Sequence, residues 1–161
     1  MIAVRELRED SCLIQEPTEL AAQSLQRLAN LTPMNLTQIQ QVSPAALAYI
    51  GDAVYELYIR TNYLLPPKTA YAYHQMVVAQ VRAETQALQL EFLTAYLTAT
   101  ELEIVRRGRN AANRPPKRVD AEIYGRATSL ETLIGYLYLT NFPRLSQLLQ
   151  KLNLRETPVN K

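Results

Sequence analysis

Two carboxylates are isolated among uncharged residues. Asp52 is the only charged residue over positions 28–55, and Glu131 is the only one over positions 127–143. An ionised carboxylate in an apolar stretch is costly in a folded protein unless it is paired or binds a cation. The pattern therefore suggests a metal ion bound by carboxylate oxygens. The alternative is that each acid accepts a hydrogen bond from a tyrosine or an arginine, and spacing alone leaves both interpretations open.

Glycines accompany both acids. Gly51 precedes Asp52, and Gly135 lies one helical turn after Glu131. Glycine inside a helix costs roughly 0.5–1 kcal/mol relative to alanine, a cost that close approach of another backbone or a ligand compensates. The small-residue surface near Asp52 is extended by Ala45, Ala46, Ala48 and Ala53. We therefore expect two tightly packed helices with the two acids near each other.

The elements that carry these acids have helical periodicity. Ser43 is suited to an N-cap and Pro44 to the first helical position. Apolar residues then recur at spacings of three and four, which predicts one inward helix face. These residues are Leu47, Ile50, Val54 and Leu57. With only four glycines and no Asn-Gly or Asp-Gly hairpin signal, the chain is predicted to be all-α.

Further helices are predicted along the chain from capping and periodicity. One is expected from about Thr69 to Leu90, and the next begins at a capping box formed by Thr100 and Glu103. Another runs from Asp120 to about Thr140. Pro143 opens the last helix, with four residues facing inward: Leu145, Leu148, Leu149 and Leu152.

A basic stretch follows the middle of the chain. It contains no acid from position 104 to position 119, and its cations are Arg106, Arg107, Arg109, Arg114, Lys117 and Arg118. Because the net charge is only +2, a nucleic-acid interface has to come from such a local patch. The alternative is an ordinary solvated helix end followed by a polar loop.

Composition excludes several classes of protein. The apolar fraction of 48% is typical of one globular domain. We expect no secretory signal, because the first twelve residues are charged throughout, and no membrane span, because no apolar run is long enough. Cys12 is the only cysteine and His74 the only histidine, so an intrachain disulfide and a multi-histidine metal centre are not expected. We interpret His74 and the tyrosines as packing residues.

Residues 46–60, ALAYIGDAVYELYIR, and residues 129–140, SLETLIGYLYLT, resemble the two acidic helices of the ribonuclease III family. Together with RRGRNA at 106–111 and PKRVD at 116–120, the pattern resembles the Mini-ribonuclease III branch more closely than the full-length enzyme. The resemblance covers about residues 36–152 and implies a catalytic domain there. Residues 1–35 are then expected to be a peripheral extension, and residues 153–161 a C-terminal tail with no room for a separate RNA-binding domain.

The resemblance implies an all-α homodimer that hydrolyses both strands of double-stranded RNA with Mg²⁺, leaving 5′-phosphate and 3′-hydroxyl ends. It implies a cytoplasmic enzyme that matures large-subunit (23S) ribosomal RNA, with the help of a ribosomal protein left open. Asp52 and Glu131 take the places of the family's principal catalytic and metal-binding acids. Glu56, one turn after Asp52, is an outer-shell candidate, although its spacing to Arg60 also suits a surface ion pair. The basic stretch is expected to contact RNA phosphates.

The chain departs from the full-length family at two positions. Ala48 and Thr128 stand where other members carry acids, which leaves the number of metal ions open. These departures favour one alternative, a non-catalytic helical dimer that binds structured RNA. A second alternative is a protein-interaction helical bundle, which explains the apolar periodicity but not the isolated acids.

Overall fold

In the computed structural model of the protein, the described residues are 17–30, 34–112, 115 and 117–154. Within these residues the backbone forms eight helices and no strand, which confirms the predicted all-α class. The helices are α1 (Pro17–Ala29), α2 (Leu36–Gln41), α3 (Pro44–Asn62), α4 (Ala70–Val81), α5 (Ala83–Thr94), α6 (Ala99–Ala111), α7 (Ala121–Thr140) and α8 (Phe142–Leu149). None of the described helices is both long enough and apolar enough to cross a lipid bilayer.

Helix α7 lies at the centre of the bundle and packs against α3, α5 and α6. It buries Leu130 and Leu133 against the aromatic side of α3, where Tyr55 and Tyr58 are fully enclosed. Each of these tyrosines keeps its hydroxyl satisfied by donating to a backbone carbonyl at 3.2 Å. The α3–α7 pair is therefore a fixed core that holds the segments carrying the two isolated acids.

The start of α3 is as predicted, but its orientation is not. The Ser43 hydroxyl accepts a hydrogen bond from the Ala46 amide at 3.2 Å, which confirms the N-cap. Only Leu47 and Val54 of the predicted inward face are buried; Ile50 and Leu57 are 39% and 36% exposed. The helix is apolar around most of its circumference, so periodicity alone did not identify the side that meets α7.

The single helix predicted over residues 69–90 is wrong, because the chain breaks at Arg82 into α4 and α5. Arg82 adopts an extended conformation, with φ −68° and ψ 151°. The break frees backbone carbonyls at the end of α4. The side-chain amide of Gln86 satisfies one of them by donating to the Val81 carbonyl at 3.1 Å. The chain then turns, and α5 lies along α7.

The capping box of α6 lies two residues earlier than predicted. Both Thr98–Glu101 and Thr100–Glu103 fit the sequence pattern, and the structure uses the first pair. The Glu101 carboxylate accepts from the Thr98 amide at 2.8 Å. It also accepts from Arg144 of α8 at 2.7 Å, a contact between distant parts of the chain. This tertiary ion pair favours the earlier of the two boxes.

Helix α1 lies in the segment 1–35 that the sequence analysis takes as peripheral. Its Ala21 is fully buried, its Leu25 is only 1% exposed, and the helix packs against α3. Helix α1 therefore contributes to the core, because Ala21 and Leu25 belong to the same buried cluster as Tyr55 and Tyr58. The division of the chain at residue 36 stays a prediction.

The last two helices agree with the sequence analysis. Asp120 caps α7 by accepting from the Glu122 and Ile123 amides at 2.8 and 3.2 Å. The four residues predicted to face inward around α8, namely Leu145, Leu148, Leu149 and Leu152, are all buried. Helix α8 thereby packs against α7 and α1.

Candidate active site

Helices α3 and α7 touch backbone to backbone. A Cβ atom added to Gly51 would lie 1.7 Å from the carbonyl oxygen of Glu131, and one added to Gly135 would lie 2.0 Å from that of Leu47. Both distances are far below van der Waals contact, so only glycine permits this approach. The close packing predicted from the two glycines is confirmed, and it brings the segments around Asp52 and Glu131 together.

Asp52 and Glu131 line the same cleft, with a volume of about 370 Å³. The remaining lining residues are small or aromatic: Ala45, Ala48, Tyr49, Ala111, Tyr124 and Thr128. Ala48 and Thr128, the two positions where an acid is absent, thus border the cleft. The described lining contains two negative side chains and no basic one, a surface that repels phosphate unless a cation binds.

The pKa values of both acids are raised. Burial is the main cause for Glu131, and the nearby charge of Asp52 adds to it, so that its pKa reaches about 7. Burial also raises the pKa of Asp52, followed by the negative charge of Glu56. Desolvation and mutual repulsion both disfavour the ionised forms, and a bound cation reverses both effects. The geometry is that of an anionic site suited to a positive ligand.

The chemistry of the donor set fits a hard divalent cation. No cluster of three or more histidine, cysteine or acidic side chains capable of enclosing an ion occurs in the described part of the chain. Two carboxylates suffice for Mg²⁺, which prefers oxygen ligands and usually keeps several waters while substrate phosphate completes its shell. Asp52 and Glu131 are the residues that would hold it.

Glu56 forms the surface ion pair that its spacing suits. Its carboxylate accepts from the Arg60 Nε at 2.9 Å and also from the terminal guanidinium nitrogen. The same carboxylate is close enough to raise the pKa of Asp52. The negative charge of Glu56 thus influences Asp52 although no hydrogen bond joins the two side chains, and a role for Glu56 in the outer shell of a metal stays a prediction.

Gln86 is a buried neighbour of Glu131 that the sequence does not predict. Gln86 is on α5 and is only 2% exposed, and its polar side chain is close enough to Glu131 to lower the pKa of that acid, against the larger raising effect of burial. Nothing in the sequence distinguishes it from the neighbouring Gln80 and Gln89, which are buried as well. Its position depends on the break between α4 and α5.

The basic residues on α6 are partly neutralised. Arg106 makes two hydrogen bonds to Glu103, at 2.7 and 2.8 Å, and Arg109 lies 3.6 Å from Glu122 of α7. Arg107 is exposed, and its charge helps to lower the pKa of Glu103. These cations therefore have carboxylates nearby that compete with RNA phosphates.

The loop that follows α6 carries freer cations. Lys117 and Arg118 are exposed and have no carboxylate within 4.0 Å among the residues that the structure describes. Arg114 lies outside the described residues. The loop leaves α6 after Ala111 and precedes Tyr124 of α7, and both of these residues line the cleft. The loop that carries Lys117 and Arg118 therefore connects two segments that line the anionic cleft.

Comparison with known proteins is consistent with this arrangement. Residues 45–142 match the ribonuclease III domain. The chain is 59% identical to the Mini-ribonuclease 3 of Thermosynechococcus vestitus, over 70% of this chain and 74% of that protein. It is 56% identical to the Mini-ribonuclease 3 of a Synechococcus species, over 73% of this chain and 85% of the relative.

The similarity extends to a more distant relative and to a solved structure. The Mini-ribonuclease 3 of Staphylococcus aureus is 39% identical over 71% of this chain and 89% of its own. The fold is similar to an X-ray crystal structure of a Fusobacterium nucleatum protein, with a TM-score of 0.59 and 32% identity. That alignment covers 62% of this chain and 82% of the other.

Proposed function

Because the chain belongs to the ribonuclease III family, it is an endoribonuclease, and we propose that it hydrolyses double-stranded RNA at the α3–α7 cleft in a Mg²⁺-dependent reaction. The observation that carries this proposal is the pairing of Asp52 with Glu131 in one cleft without a basic neighbour. A protein that only binds RNA gains nothing from negative charge facing phosphate. A phosphodiester hydrolase needs such charge to hold a cation.

In this mechanism the carboxylates of Asp52 and Glu131 would hold the ion in the cleft. Bound there, Mg²⁺ supplies an activated water and neutralises charge on the phosphoryl oxygens. Burial of Glu131 against α5 limits the water around its carboxylate, which strengthens its attraction for a cation. Hydrolysis leaves 5′-phosphate and 3′-hydroxyl ends.

The basic stretch holds the substrate, mainly through the loop that follows α6. Lys117 and Arg118 are free to contact phosphates, which gives affinity without reading sequence. Duplex RNA is recognised mainly through its shape, backbone and 2′-hydroxyls, which suits a patch of this kind. A positive loop next to a negative cleft supports a division of work in which the loop cations position the RNA backbone over the cleft.

The natural substrate that we propose is the precursor of large-subunit (23S) ribosomal RNA, processed in the cytoplasm. This part of the proposal rests on the resemblance to the Mini-ribonuclease III branch. Mapping the ends of precursor ribosomal RNA after treatment with the purified protein, with and without ribosomal proteins, tests it. Cleavage scattered along the precursor, rather than at its mature ends, would contradict it.

The proposed enzyme acts as a homodimer. The small-residue surface around Gly51 is already covered by α7 and does not serve a second copy. Another part of α3 is apolar and exposed, because Ile50 and Leu57, seven residues apart on one side of the helix, are 39% and 36% exposed. An exposed apolar surface of this kind supports association. Two sites related by a twofold axis would address the two strands of a duplex.

The alternative, a non-catalytic dimer that binds structured RNA, is favoured by Ala48 and Thr128 in the cleft. Asp52→Asn and Glu131→Gln decide between the two, because each preserves size and removes a ligand charge. We expect both variants to bind duplex RNA and to lose nearly all Mg²⁺-dependent cleavage on a gel. Cleavage by either variant at close to the wild-type rate in saturating Mg²⁺ would show that the site is assigned wrongly.

A further inference from the structure

The hydroxyl of Thr128 differs from the other side-chain hydroxyls of Ser and Thr in α7. Those of Ser129, Thr132 and Thr140 each donate to the backbone carbonyl four residues earlier, at 2.8, 2.7 and 2.7 Å. Bonding of this kind is a common way to satisfy a hydroxyl inside a helix. The Thr128 hydroxyl makes no hydrogen bond to any residue that the structure describes, although Tyr124 offers the equivalent carbonyl. Its donor is therefore available to a ligand.

The same side chain lies in the cleft of the two isolated acids. Thr128 lines this cleft together with Asp52 and Glu131, and it is only 8% exposed. In the described part of the chain, the fully enclosed polar side-chain atoms without a partner are the carbonyl oxygens of Gln80 and Gln86. The Thr128 hydroxyl is not one of them, so it reaches the solvent of the cleft. An unpaired donor is thus held beside the candidate metal ligands.

The cleft offers few hydrogen-bond donors to a phosphate. Its described lining contains two carboxylates, which only accept hydrogen bonds when ionised, and three alanines without a polar side-chain atom. The remaining side-chain donors are the hydroxyls of Thr128, Tyr49 and Tyr124. Tyr49 is 81% exposed, whereas Thr128 is held by burial and by its β-branched side chain. Thr128 therefore loses less conformational entropy than Tyr49 when its hydroxyl donates to a ligand.

We propose that the Thr128 hydroxyl donates a hydrogen bond to a phosphate oxygen of the RNA strand bound in the cleft. This proposal rests on the proposed function, because it needs a phosphate beside Asp52 and Glu131. Phosphate oxygens are strong acceptors, so an unpaired donor is the matching group. A lysine or arginine at this position would pair with the two carboxylates and oppose cation binding, whereas a neutral hydroxyl leaves them free for the cation.

Two neighbouring positions on α7 separate this role from a structural one. Thr128→Val replaces the hydroxyl with a methyl group of similar size and removes no hydrogen bond within the described part of the chain. Ser129→Ala removes a hydroxyl that donates to the Gly125 carbonyl; Ser129 is 1% exposed and does not line the cleft. We therefore expect Thr128→Val to keep or slightly raise Tm, and Ser129→Ala to lower it.

Single-turnover cleavage of a short duplex RNA in saturating Mg²⁺ measures the contact to the substrate. For Thr128→Val, we expect the protein concentration that gives half of the maximal rate to rise about 10-fold, because a hydrogen bond to a charged group is lost. The maximal rate should change little, as for a contact made equally in the ground state and the transition state. Ser129→Ala should keep the wild-type half-saturation, and Thr128→Ser, which retains the donor, should restore most of the affinity.

Binding of Mn²⁺ without RNA is a second readout, taken from the rise of Tm with Mn²⁺ concentration. The apparent Kd for Mn²⁺ should be the same in Thr128→Val and in the wild type, because the proposed contact is to phosphate. A raised Kd for Mn²⁺ in Thr128→Val would overturn the proposal, since the hydroxyl would then act on the metal.

A folded Thr128→Val protein with the wild-type half-saturation would also overturn the proposal. If Thr128→Val does not fold, Thr128→Ala decides in its place by the same criteria, since alanine is favourable inside a helix. Asp52→Asn separates these outcomes from a failure of the proposed function. Cleavage by Asp52→Asn at the wild-type rate would show that this cleft is not the active site.

Discussion

Replacing Gly51 with alanine is expected to force α3 away from α7 and to damage the candidate site directly. The added Cβ would lie 1.7 Å from the carbonyl oxygen of Glu131 and 2.6 Å from its carbonyl carbon. Ordinary contact between such atoms is roughly 3.5 Å, so the helices must separate by about 1.5 Å or more. Neither obstacle is a flexible side chain that can rotate away.

The expected loss of stability is the difference of two effects. Alanine gains roughly 0.5–1 kcal/mol over glycine inside a helix. Overpacking of a dense core typically costs 1–3 kcal/mol, and a clash with rigid backbone belongs at the upper end or beyond. We therefore expect Gly51→Ala to lower the free energy of unfolding by about 2 kcal/mol. For a chain of this length that is a fall in Tm of about 4–8 °C.

Activity should fall further than stability. The clash occurs at the backbone of Glu131 and one residue before Asp52, so the separation of the helices moves the two acids apart. A misplacement of about 1 Å in a catalytic arrangement costs on the order of 100-fold in rate. Cleavage of duplex RNA measured well below the new Tm, where the variant is folded, reports this effect separately from unfolding.

Gly125 of α7 supplies the matched control. A Cβ there meets only Arg109 Cγ at 3.6 Å, an ordinary contact, so Gly125→Ala should keep activity and leave Tm unchanged or slightly raised. Gly108 is intermediate, because its Cβ would lie 2.5 Å from the Thr132 hydroxyl oxygen. Stability should therefore decrease in the order Gly125→Ala, Gly108→Ala, Gly51→Ala. A Gly51→Ala protein as stable and as active as Gly125→Ala would refute the backbone contact between α3 and α7.

Three further predictions concern pH, salt and association. Since the folded-state pKa of Glu131 is raised from 4.5 to about 7, its contribution to stability is present below pH 4.5 and is lost as pH rises through 7. Without divalent cations, the free energy of unfolding of the wild type should thus fall by about 3 kcal/mol relative to that of Glu131→Gln over this range. If the difference in stability between the two proteins were the same at pH 5 and pH 8, the prediction would be wrong. The double variant Lys117→Ala, Arg118→Ala should weaken duplex binding and reduce the slope of log affinity against log salt concentration by about 2. Arg106→Ala should reduce that slope less, because Arg106 is paired with Glu103. If the double variant has the wild-type slope, the loop cations are ordinary solvated charges. Ile50→Lys should convert the proposed dimer to a monomer in sedimentation with little change in helix content. A monomeric wild-type protein at micromolar concentration would contradict the proposed dimer.

Several features of the protein can be read from its sequence because they depend on residues close together in the chain. The caps at Ser43 and Asp120 and the inward residues of α8 are predicted from local signals, and the structure confirms them. The isolation of Asp52 and Glu131, with a glycine beside each, indicates two helices in contact. That inference succeeds because a buried charge and a helix glycine are each costly unless something compensates for them.

Only the tertiary structure decides features that depend on distant residues. Two capping boxes overlap at the start of α6, and the ion pair of Glu101 with Arg144, 43 residues away, favours the first. The sequence of α3 is apolar on two sides, so packing against α7 determines which side is buried. Gln86 resembles other glutamines until the break at Arg82 turns α5, buries this side chain and lets its amide donate to the Val81 carbonyl. Propensity along one segment cannot reveal such contacts, because their free energy arises only when separate helices meet.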